Sequence, residues 1–203
     1  VFLQKDIFAK PAVMALSAIL KRAGYDCFVV VADLEDDPVT AVLELHPDAI
    51  AFSITTAEFP FLREMGTKLR ALQSDVLMIC GGAHPTFYPE VIQEPCLDAV
   101  CRGEGDEAFP EFLNAWFSGK ACENVLNFWV KKEGRLFKND VRPLIRDLDA
   151  LPFYDRDIYT RYAPYAEKKR EILYHHVVNA GRGCPKSCSF CFNKNYNELY
   201  KGK

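Results

Sequence analysis

The sequence has little net charge, no long apolar run and no low-complexity tract. Its 203 residues carry a formal net charge of −3, which gives no electrostatic reason to expect nucleic acid or an anionic membrane surface as a partner. No apolar run reaches the roughly 18 residues that a membrane-spanning helix needs. The opening residues, VFLQKDIF, lack the charged and long apolar regions of a signal peptide and read as a strand already under way. We therefore expect a cytoplasmic protein with no membrane span.

Cysteine is the residue type that the sequence has in quantity, with eight in the chain. Disulfides in a secreted protein would explain them, but without an export signal the reducing cytosol is the better expectation. Five of the eight are scattered and are predicted to be small buried side chains: Cys27, Cys80, Cys96, Cys101 and Cys122. The other three lie within eight residues of one another near the end of the chain and need a separate explanation.

Apolar runs alternate with helical patterns over about the first 120 residues. The runs VFLQ, DCFVVVA, DAIAFSI, DVLMICGG and LDAVCRG predict five strands. The segments between and after them predict helices at 11–24, 38–46, 58–73, 89–94 and 106–118. The last of these has a predicted inner side of Phe109, Phe112, Leu113, Trp116 and Phe117. Continuous apolar strands that each precede a helix predict an α/β fold with a doubly wound, five-stranded parallel sheet of the Rossmann or flavodoxin type.

The pattern changes after the last of these helices. NVLNFWVKKEGRLFKN predicts a β-hairpin that turns at Glu133-Gly134. A connector rich in proline and aromatic residues follows, which we expect to pack against another part of the protein. ILYHHVVNA then predicts one more strand directly before the three cysteines. We therefore predict a first domain at 1–125, a hairpin and linker at 126–170, and the start of a second domain at 171–203.

The loops after strands one, three, four and five are expected to share the carboxyl edge of the sheet, where open α/β sheets bind ligands. Glycines in these loops let a bulky ligand approach the backbone, although each of them also fits an ordinary tight turn. Neither G-x-G-x-x-G after strand one nor a P-loop is present, so NAD is a poor candidate ligand. The residues that stand out at this edge are Ser53, Thr55, Gly81, Gly82, Gly103 and Glu104.

Cys184, Cys188 and Cys191 form a C-x3-C-x2-C pattern in the stretch AGRGCPKSCSFCFNKNY. Three closely spaced thiols suit a metal or cluster held by one short loop. Structural zinc takes four ligands, and only His175 or His176 of the preceding predicted strand lies near enough in sequence to supply a fourth. An iron–sulfur cluster held by three thiolates instead leaves one iron open for chemistry. Unligated cysteines are the third alternative.

GCPKSCSFC, with Phe190 before the last cysteine, resembles the signature of the radical S-adenosylmethionine (SAM) superfamily. Together with GGAHPTFYPE, DAVCRGEGDEAFPEF and DLDALPFYDRD, it makes nearly the whole chain resemble the cobalamin-binding radical SAM enzymes. The resemblance implies that Cys184, Cys188 and Cys191 hold a [4Fe–4S] cluster whose open iron binds SAM. It also implies that cobalamin lies along the carboxyl edge of the first domain. The residues that the resemblance places against it are Ser53, Thr55, Gly81, Gly82 and His84, with Arg102, Gly103 and Glu104 on the same rim.

One departure concerns the loop after strand one. Cobalamin domains of methionine synthase and the mutases carry D-x-H-x-x-G there, with the histidine on cobalt, whereas this chain reads DIFAKP. The radical subfamily commonly lacks that ligand, and some relatives keep the domain without cobalamin. In the loop after strand four, we expect His84 to serve packing or hydrogen bonding rather than to bind cobalt.

Three functions remain open at this point. The first is a cobalamin-dependent radical SAM enzyme that methylates or rearranges an unactivated carbon of a small-molecule substrate, with a reductant such as flavodoxin or ferredoxin. The second is a radical SAM enzyme without cobalamin, for instance a methylthiolating one. The third is a cobalamin carrier or sensor without radical chemistry. Because little of a SAM-binding barrel is present, we expect the chain to be an N-terminal fragment that is inactive alone.

Overall fold

The computed structural model describes residues 1–164, 179 and 181–203. Its strands are β1 (Phe2–Gln4), β2 (Val29–Val31), β3 (Ala49–Ser53), β4 (Leu77–Gly81), β5 (Ala99–Cys101), β6 (Phe128–Lys132) and β7 (Arg135–Lys138). Its α-helices are α1 (Pro11–Arg22), α2 (Pro38–Leu43), α3 (Phe59–Leu72), α4 (Ala83–Phe87), α5 (Ala108–Phe117) and α6 (Asn193–Leu199).

The strands form one sheet in the order β2-β1-β3-β4-β5-β6-β7. The first five are parallel, which confirms the predicted doubly wound sheet and gives it the flavodoxin-like order 2-1-3-4-5. The predicted hairpin does not stand apart from this sheet, because β6 pairs antiparallel with β5 and carries β7 on its outer side. Glu133 and Gly134 both have positive φ angles, of 51° and 71°, as a two-residue hairpin turn requires.

The two faces of the sheet are covered by different helices. One core contains Val13 and Leu20 of α1 with Phe109 and Phe112 of α5, and the opposite core contains Leu62 of α3. Strand residues alternate between the two cores, as the two-residue side-chain period of a strand requires. The sheet is thus buried on both faces, which explains its continuous apolar strands.

Two sequence predictions need correction, and a third lies almost entirely outside the described residues. The loop after β4 contains an additional short helix, α4, and the short helix predicted at 89–94 is a 3-10 helix at Pro89–Gln93. Phe117 was predicted to face inward but is 47% exposed, because it is the last residue of α5. The predicted strand ILYHHVVNA, including His175 and His176, falls almost entirely outside the described residues.

Candidate functional site

A cavity of about 670 Å³ opens at the carboxyl edge of the sheet, on the face that α1 and α5 cover. Residues of β1, β3, β4 and β5 line it on the side of the sheet, and residues on either side of the three clustered cysteines, within 181–183 and 192–196, line it near the end of the chain. We call residues 102–107 the rim loop and residues 181–200 the cysteine segment. The lining residues are Phe2, Pro11, Ala12, Ala15, Leu16, Ala51, Phe52, Ser53, Ile79, Gly81, Gly82, Cys101, Gly103, Glu104, Gly105, Asp106, Phe109, Tyr154, Asn179, Gly181, Arg182, Gly183, Phe192, Asn193 and Tyr196.

Small side chains account for the empty volume. Ala15 on α1 faces the cavity beside Ala51 on β3 and Gly81 on β4. A Cβ on Gly81 would meet nothing closer than Cys101 at 3.8 Å, and its φ angle is not positive. No turn geometry requires glycine at this position, so Gly81 leaves space where a larger residue would fit.

Gly82 has a different role. Its φ angle is +100°, and a Cβ there would lie 2.7 Å from the carbonyl oxygen of Ile54. Only glycine fits this close approach between the end of β4 and the loop after β3. The tight crossing holds these two loops together at the rim of the cavity.

The structure brings five of the eight predicted edge residues to this cavity: Ser53, Gly81, Gly82, Gly103 and Glu104. Among the described lining residues, Thr55, His84 and Arg102 do not appear. Thr55 instead caps the 3-10 turn before α3, where its N–H and hydroxyl donate to the Glu58 carboxylate at 2.8 and 2.9 Å.

His84 lies behind the rim, in a stack of rings. It is buried between Phe59 and Tyr88, at ring-centroid distances of 5.0 and 5.5 Å. Its Nδ1 atom is 3.1 Å from the Thr56 hydroxyl. Burial lowers the pKa of its imidazole. These contacts agree with the expected packing and hydrogen-bonding role.

Arg102 begins the rim loop but points to the hairpin. Its guanidinium carbon lies 5.4 Å from the ring centroid of Trp129, a cation–π geometry. Its backbone N–H donates to Asn127 at 2.8 Å. Asn127 is fully buried and donates its side-chain amide to the carbonyl of Glu104 at 2.7 Å. Arg102 and Asn127 thus brace the rim loop from the side of β6.

The loop after β1 is held by a lysine that the sequence reasoning did not select. The ammonium of Lys10 donates to the carbonyl of Ser53 at 2.8 Å and forms an ion pair with Glu58. This amine is therefore engaged by the end of β3 and the turn that follows it. The loop after β1 is thus bonded to the end of β3 and to the turn before α3.

Two linker tyrosines cover the ends of β1 and β2. The Tyr159 hydroxyl donates to Gln4 at 2.6 Å and accepts the Lys10 N–H at 3.1 Å. The Tyr162 hydroxyl accepts the Val31 N–H at 3.0 Å. Burial raises the pKa of both phenols. The aromatic connector is thus packed onto the sheet, as expected, and it closes this part of the edge.

Asp106 and Arg182 were missed by the sequence reasoning, although both line the cavity. The Arg182 guanidinium donates to both carboxylate oxygens of Asp106 at 2.8 Å and to Glu104 at 3.0 Å. The hydrogen bonds to Asp106 and then those to Glu104 raise the pKa of Arg182. The sequence carried one signal, since Arg182 stands two residues before the first clustered cysteine.

The three clustered cysteines lie in the loop before α6. Cys188 is exposed, Cys184 and Cys191 are partly exposed, and all three are free thiols. Within residues 1–164, 179 and 181–203, no three His, Cys, Asp or Glu side chains converge in a metal-binding arrangement. The donor set nevertheless fits an iron–sulfur cluster, because three accessible soft thiols stand on one loop.

The five scattered cysteines are buried, as predicted. Burial raises the pKa of Cys101 to about 12 and that of Cys80 well above its usual value. Thiolates are the metal ligands, so these two side chains are held in the form that does not bind metal.

Fold and cavity together define an α/β ligand-binding domain whose site lies at the carboxyl edge of a parallel sheet. The protein-family model described as "B12 binding domain" matches residues 6–113. The chain belongs to the B12-binding domain family, and cobalamin is the ligand of that family.

Curated relatives extend the match beyond this domain. The chain is 29% identical over 187 residues, 89% of its length, to an uncharacterized methyltransferase of Pyrococcus horikoshii. It is 31% identical over 189 residues, 87% of its length, to the anaerobic magnesium-protoporphyrin IX monomethyl ester cyclase of Rubrivivax gelatinosus. It spans only 40% and 33% of the lengths of these two relatives.

The solved structures agree on the fold. The cobalamin-dependent SAM radical enzyme OxsB, with aqua-cobalamin and SAM bound, superimposes with a TM-score of 0.64 at 16% identity, over 78% of this chain and 24% of that one. This likeness concerns the fold, whereas the family match and the curated relatives confirm the resemblance inferred from the sequence. In the part of the chain that the structure describes, no helix has the length and apolar character to cross a membrane.

Proposed function

We propose that this chain is the cobalamin-binding part, with the cluster loop, of a radical SAM enzyme that forms a 5′-deoxyadenosyl radical to methylate or rearrange an unactivated carbon. The observation that carries the proposal is that residues of the cysteine segment, on both sides of the three cysteines, line the cavity of a B12-binding domain. When bound, the cluster supplies the electron that cleaves SAM, and cobalamin supplies methyl-transfer chemistry.

The cavity can hold part of a large ligand. Its volume of about 670 Å³ lies within the usual range for ligand pockets. Ser53, Gly81, Gly82, Gly103 and Glu104 are the residues that we propose contact cobalamin. We assign Thr55, His84 and Arg102 to bracing the rim instead, because their side chains are engaged elsewhere.

The cobalt would receive no ligand from the loop after β1. That loop has no histidine, and the amine of Lys10 is already bound by Ser53 and Glu58. A group with two partners is a poor candidate to coordinate metal. The expected cobalamin is therefore bound without a histidine ligand from this loop.

We assign Cys184, Cys188 and Cys191 as the ligands of the [4Fe–4S] cluster. Their spacing provides three thiolates, one fewer than a closed structural site needs. The open iron position is where the amino and carboxylate groups of SAM would bind. An electron from a cytoplasmic flavodoxin or ferredoxin would reduce the cluster. Because the chain spans a minor part of its relatives' length, we expect no turnover from these 203 residues alone.

The test begins with the full-length protein, purified anaerobically and reconstituted with iron, sulfide and hydroxocobalamin. We expect about four irons and four sulfides per chain, a cobalamin absorption spectrum, and 5′-deoxyadenosine from SAM under reducing conditions. Replacing Cys184, Cys188 and Cys191 together by alanine should remove the iron and the cleavage but keep the cobalamin. Cys122→Ala, at a buried free thiol near the hairpin, is the matched control and should keep all three.

The outcomes separate the three functions. Iron, sulfide and SAM cleavage without cobalamin binding would support the radical enzyme that has lost cobalamin. Cobalamin without iron or cleavage would support the carrier or sensor. SAM cleavage by the reconstituted 203-residue chain would contradict the expected inactivity of the fragment.

A further inference from the structure

We propose that Arg182 is a positioning residue that holds the cysteine segment on the rim loop. Through this contact, the position of Cys184 is coupled to ligand binding in the cavity. The inference rests on the proposed function only for the identity of the ligand. The clamp itself is made by residues of this chain and can be tested without cofactor.

The clamp consists of Arg182 and two carboxylates of the rim loop, those of Glu104 and Asp106. Arg182 donates from two nitrogens to the two carboxylate oxygens of Asp106, each at 2.8 Å, and from one of them to Glu104 at 3.0 Å. This is the bidentate arrangement in which a guanidinium fixes direction as well as distance. The side chains of Glu104 and Asp106 are 8% and 7% exposed, so solvent screens this pair less than a surface ion pair.

The acidic partners are themselves fixed. The second oxygen of the Glu104 carboxylate accepts the Ile145 N–H at 2.9 Å. The Glu104 carbonyl accepts the side-chain amide of buried Asn127 at 2.7 Å. The rim loop therefore presents a preformed acidic site, and Arg182 is the group that reaches it from the cysteine segment.

A second tether holds the other side of the first cysteine. Asn197 on α6 donates to the carbonyl of Cys184 at 3.0 Å. One turn further along, the hydroxyl of Tyr200 accepts the Glu104 N–H at 3.0 Å. Cys184 is thus held to the same rim loop from both directions, through Arg182 before it and through α6 after it.

The clamp also forms part of the cavity wall. Glu104, Asp106 and Arg182 all line the cavity, together with Tyr196 of α6. A ligand in the cavity contacts the groups that hold the cysteine segment. If ligand binding strengthens the clamp, the clamp must strengthen ligand binding by the same factor, because coupling between sites is reciprocal.

The experiment measures iodoacetamide alkylation of Cys184 by peptide mass spectrometry, in the full-length protein without cluster. In Arg182→Gln, Cys184 should be alkylated about tenfold faster than in the wild type, because the cysteine segment leaves the rim loop. Arg182→Lys keeps the charge but not the two-nitrogen fork, so its Cys184 alkylation rate should lie between those of the wild type and Arg182→Gln. Arg161→Gln removes the exposed ion pair between Arg161 and Glu35 and should behave as the wild type.

Cyanocobalamin is then added to each protein. We expect it to slow Cys184 alkylation at least about fivefold in the wild type and less than about twofold in Arg182→Gln, with cyanocobalamin affinity reduced at least about fivefold in that variant. Equal rates of Cys184 alkylation in the wild type and Arg182→Gln without ligand would overturn the proposal that Arg182 holds the cysteine segment.

Two further outcomes are distinguishable. Cyanocobalamin that binds the wild type without slowing alkylation would overturn the coupling and leave the proposed function standing. Failure of the wild type to bind any cobalamin would remove the cobalamin part of the proposed function and the coupling together. A melting temperature of Arg182→Gln close to the wild type would show that faster alkylation does not come from unfolding.

Discussion

The hydroxyl of Tyr200 occupies the space into which a Cβ atom on Gly103 would project, so glycine at 103 and the docking of α6 depend on each other. Gly103 also has a φ angle of +70°. Its N–H donates to the Thr86 hydroxyl at 3.0 Å, and the next N–H, that of Glu104, donates to Tyr200. Helix α4 and Tyr200, the residue directly after α6, thus bind neighbouring N–H groups of the rim loop.

The first prediction follows from that contact. Gly103→Ala should undock α6 as well as strain the backbone, whereas Gly119→Ala should only strain it. Gly119 has a similar φ angle of +68°, and no described atom lies within 4 Å of its Cβ position. We expect Gly119→Ala to cost about 1 to 2 kcal/mol of unfolding free energy. Only Gly103→Ala should also make α6 rapidly cleavable by trypsin at Lys194. Equal cleavage of the two variants would contradict the proposed interdependence.

The second prediction concerns the empty volume. Ala15→Leu and Gly81→Val place larger side chains in the cavity and should weaken cyanocobalamin binding at least tenfold, about 1.4 kcal/mol. The control is Ala71→Leu, the same substitution at an exposed position. Ala71 lies on α3, the helix that covers the other face of the sheet. This variant should bind cyanocobalamin as the wild type does. Spectroscopic titration gives the affinities, and unchanged binding by both cavity variants would place the ligand elsewhere.

The third prediction concerns the connector. Tyr159→Phe leaves the Gln4 oxygen and the Lys10 N–H without their partner in a buried site. We expect a loss of about 1 to 3 kcal/mol of unfolding free energy. Tyr25→Phe removes an exposed hydrogen bond to Asn114 and should cost no more than about 0.5 kcal/mol. Urea denaturation of both variants measures the difference, and similar losses would show that the connector contributes little.

The fourth prediction is a pH dependence. Burial lowers the pKa of His84 in the folded protein, so the unfolded chain binds the proton more readily. Stability should therefore fall as the pH drops below about 6.5, where unfolded histidine becomes protonated. His84→Gln should flatten the profile between about pH 7 and pH 5, and the control His46→Asn, at an exposed histidine, should keep the wild-type slope. A slope unchanged in His84→Gln would assign the dependence to other groups.

The strand and helix pattern was predictable because buried parallel strands read as continuous apolar runs. DAIAFSI and DVLMICGG contain β3 and β4, and the helix predicted at 58–73 is α3 within one residue at each end. The missed helix α4 begins directly after Gly82, whose φ angle of +100° lets the chain reverse without a longer loop. A five-residue helix has too few positions to show a period.

The sequence by itself determined the alternation that makes the sheet, the glycines at its carboxyl edge, and the spacing of Cys184, Cys188 and Cys191, because these are local properties of the chain. The tertiary structure decided which edge residues face the cavity. In the folded chain, Thr55, His84 and Arg102 contact other partners. Arg182 binds Asp106, which is 76 residues away in the sequence. Pairings over such separations depend on how the connector folds back onto the sheet, and no local pattern encodes that path.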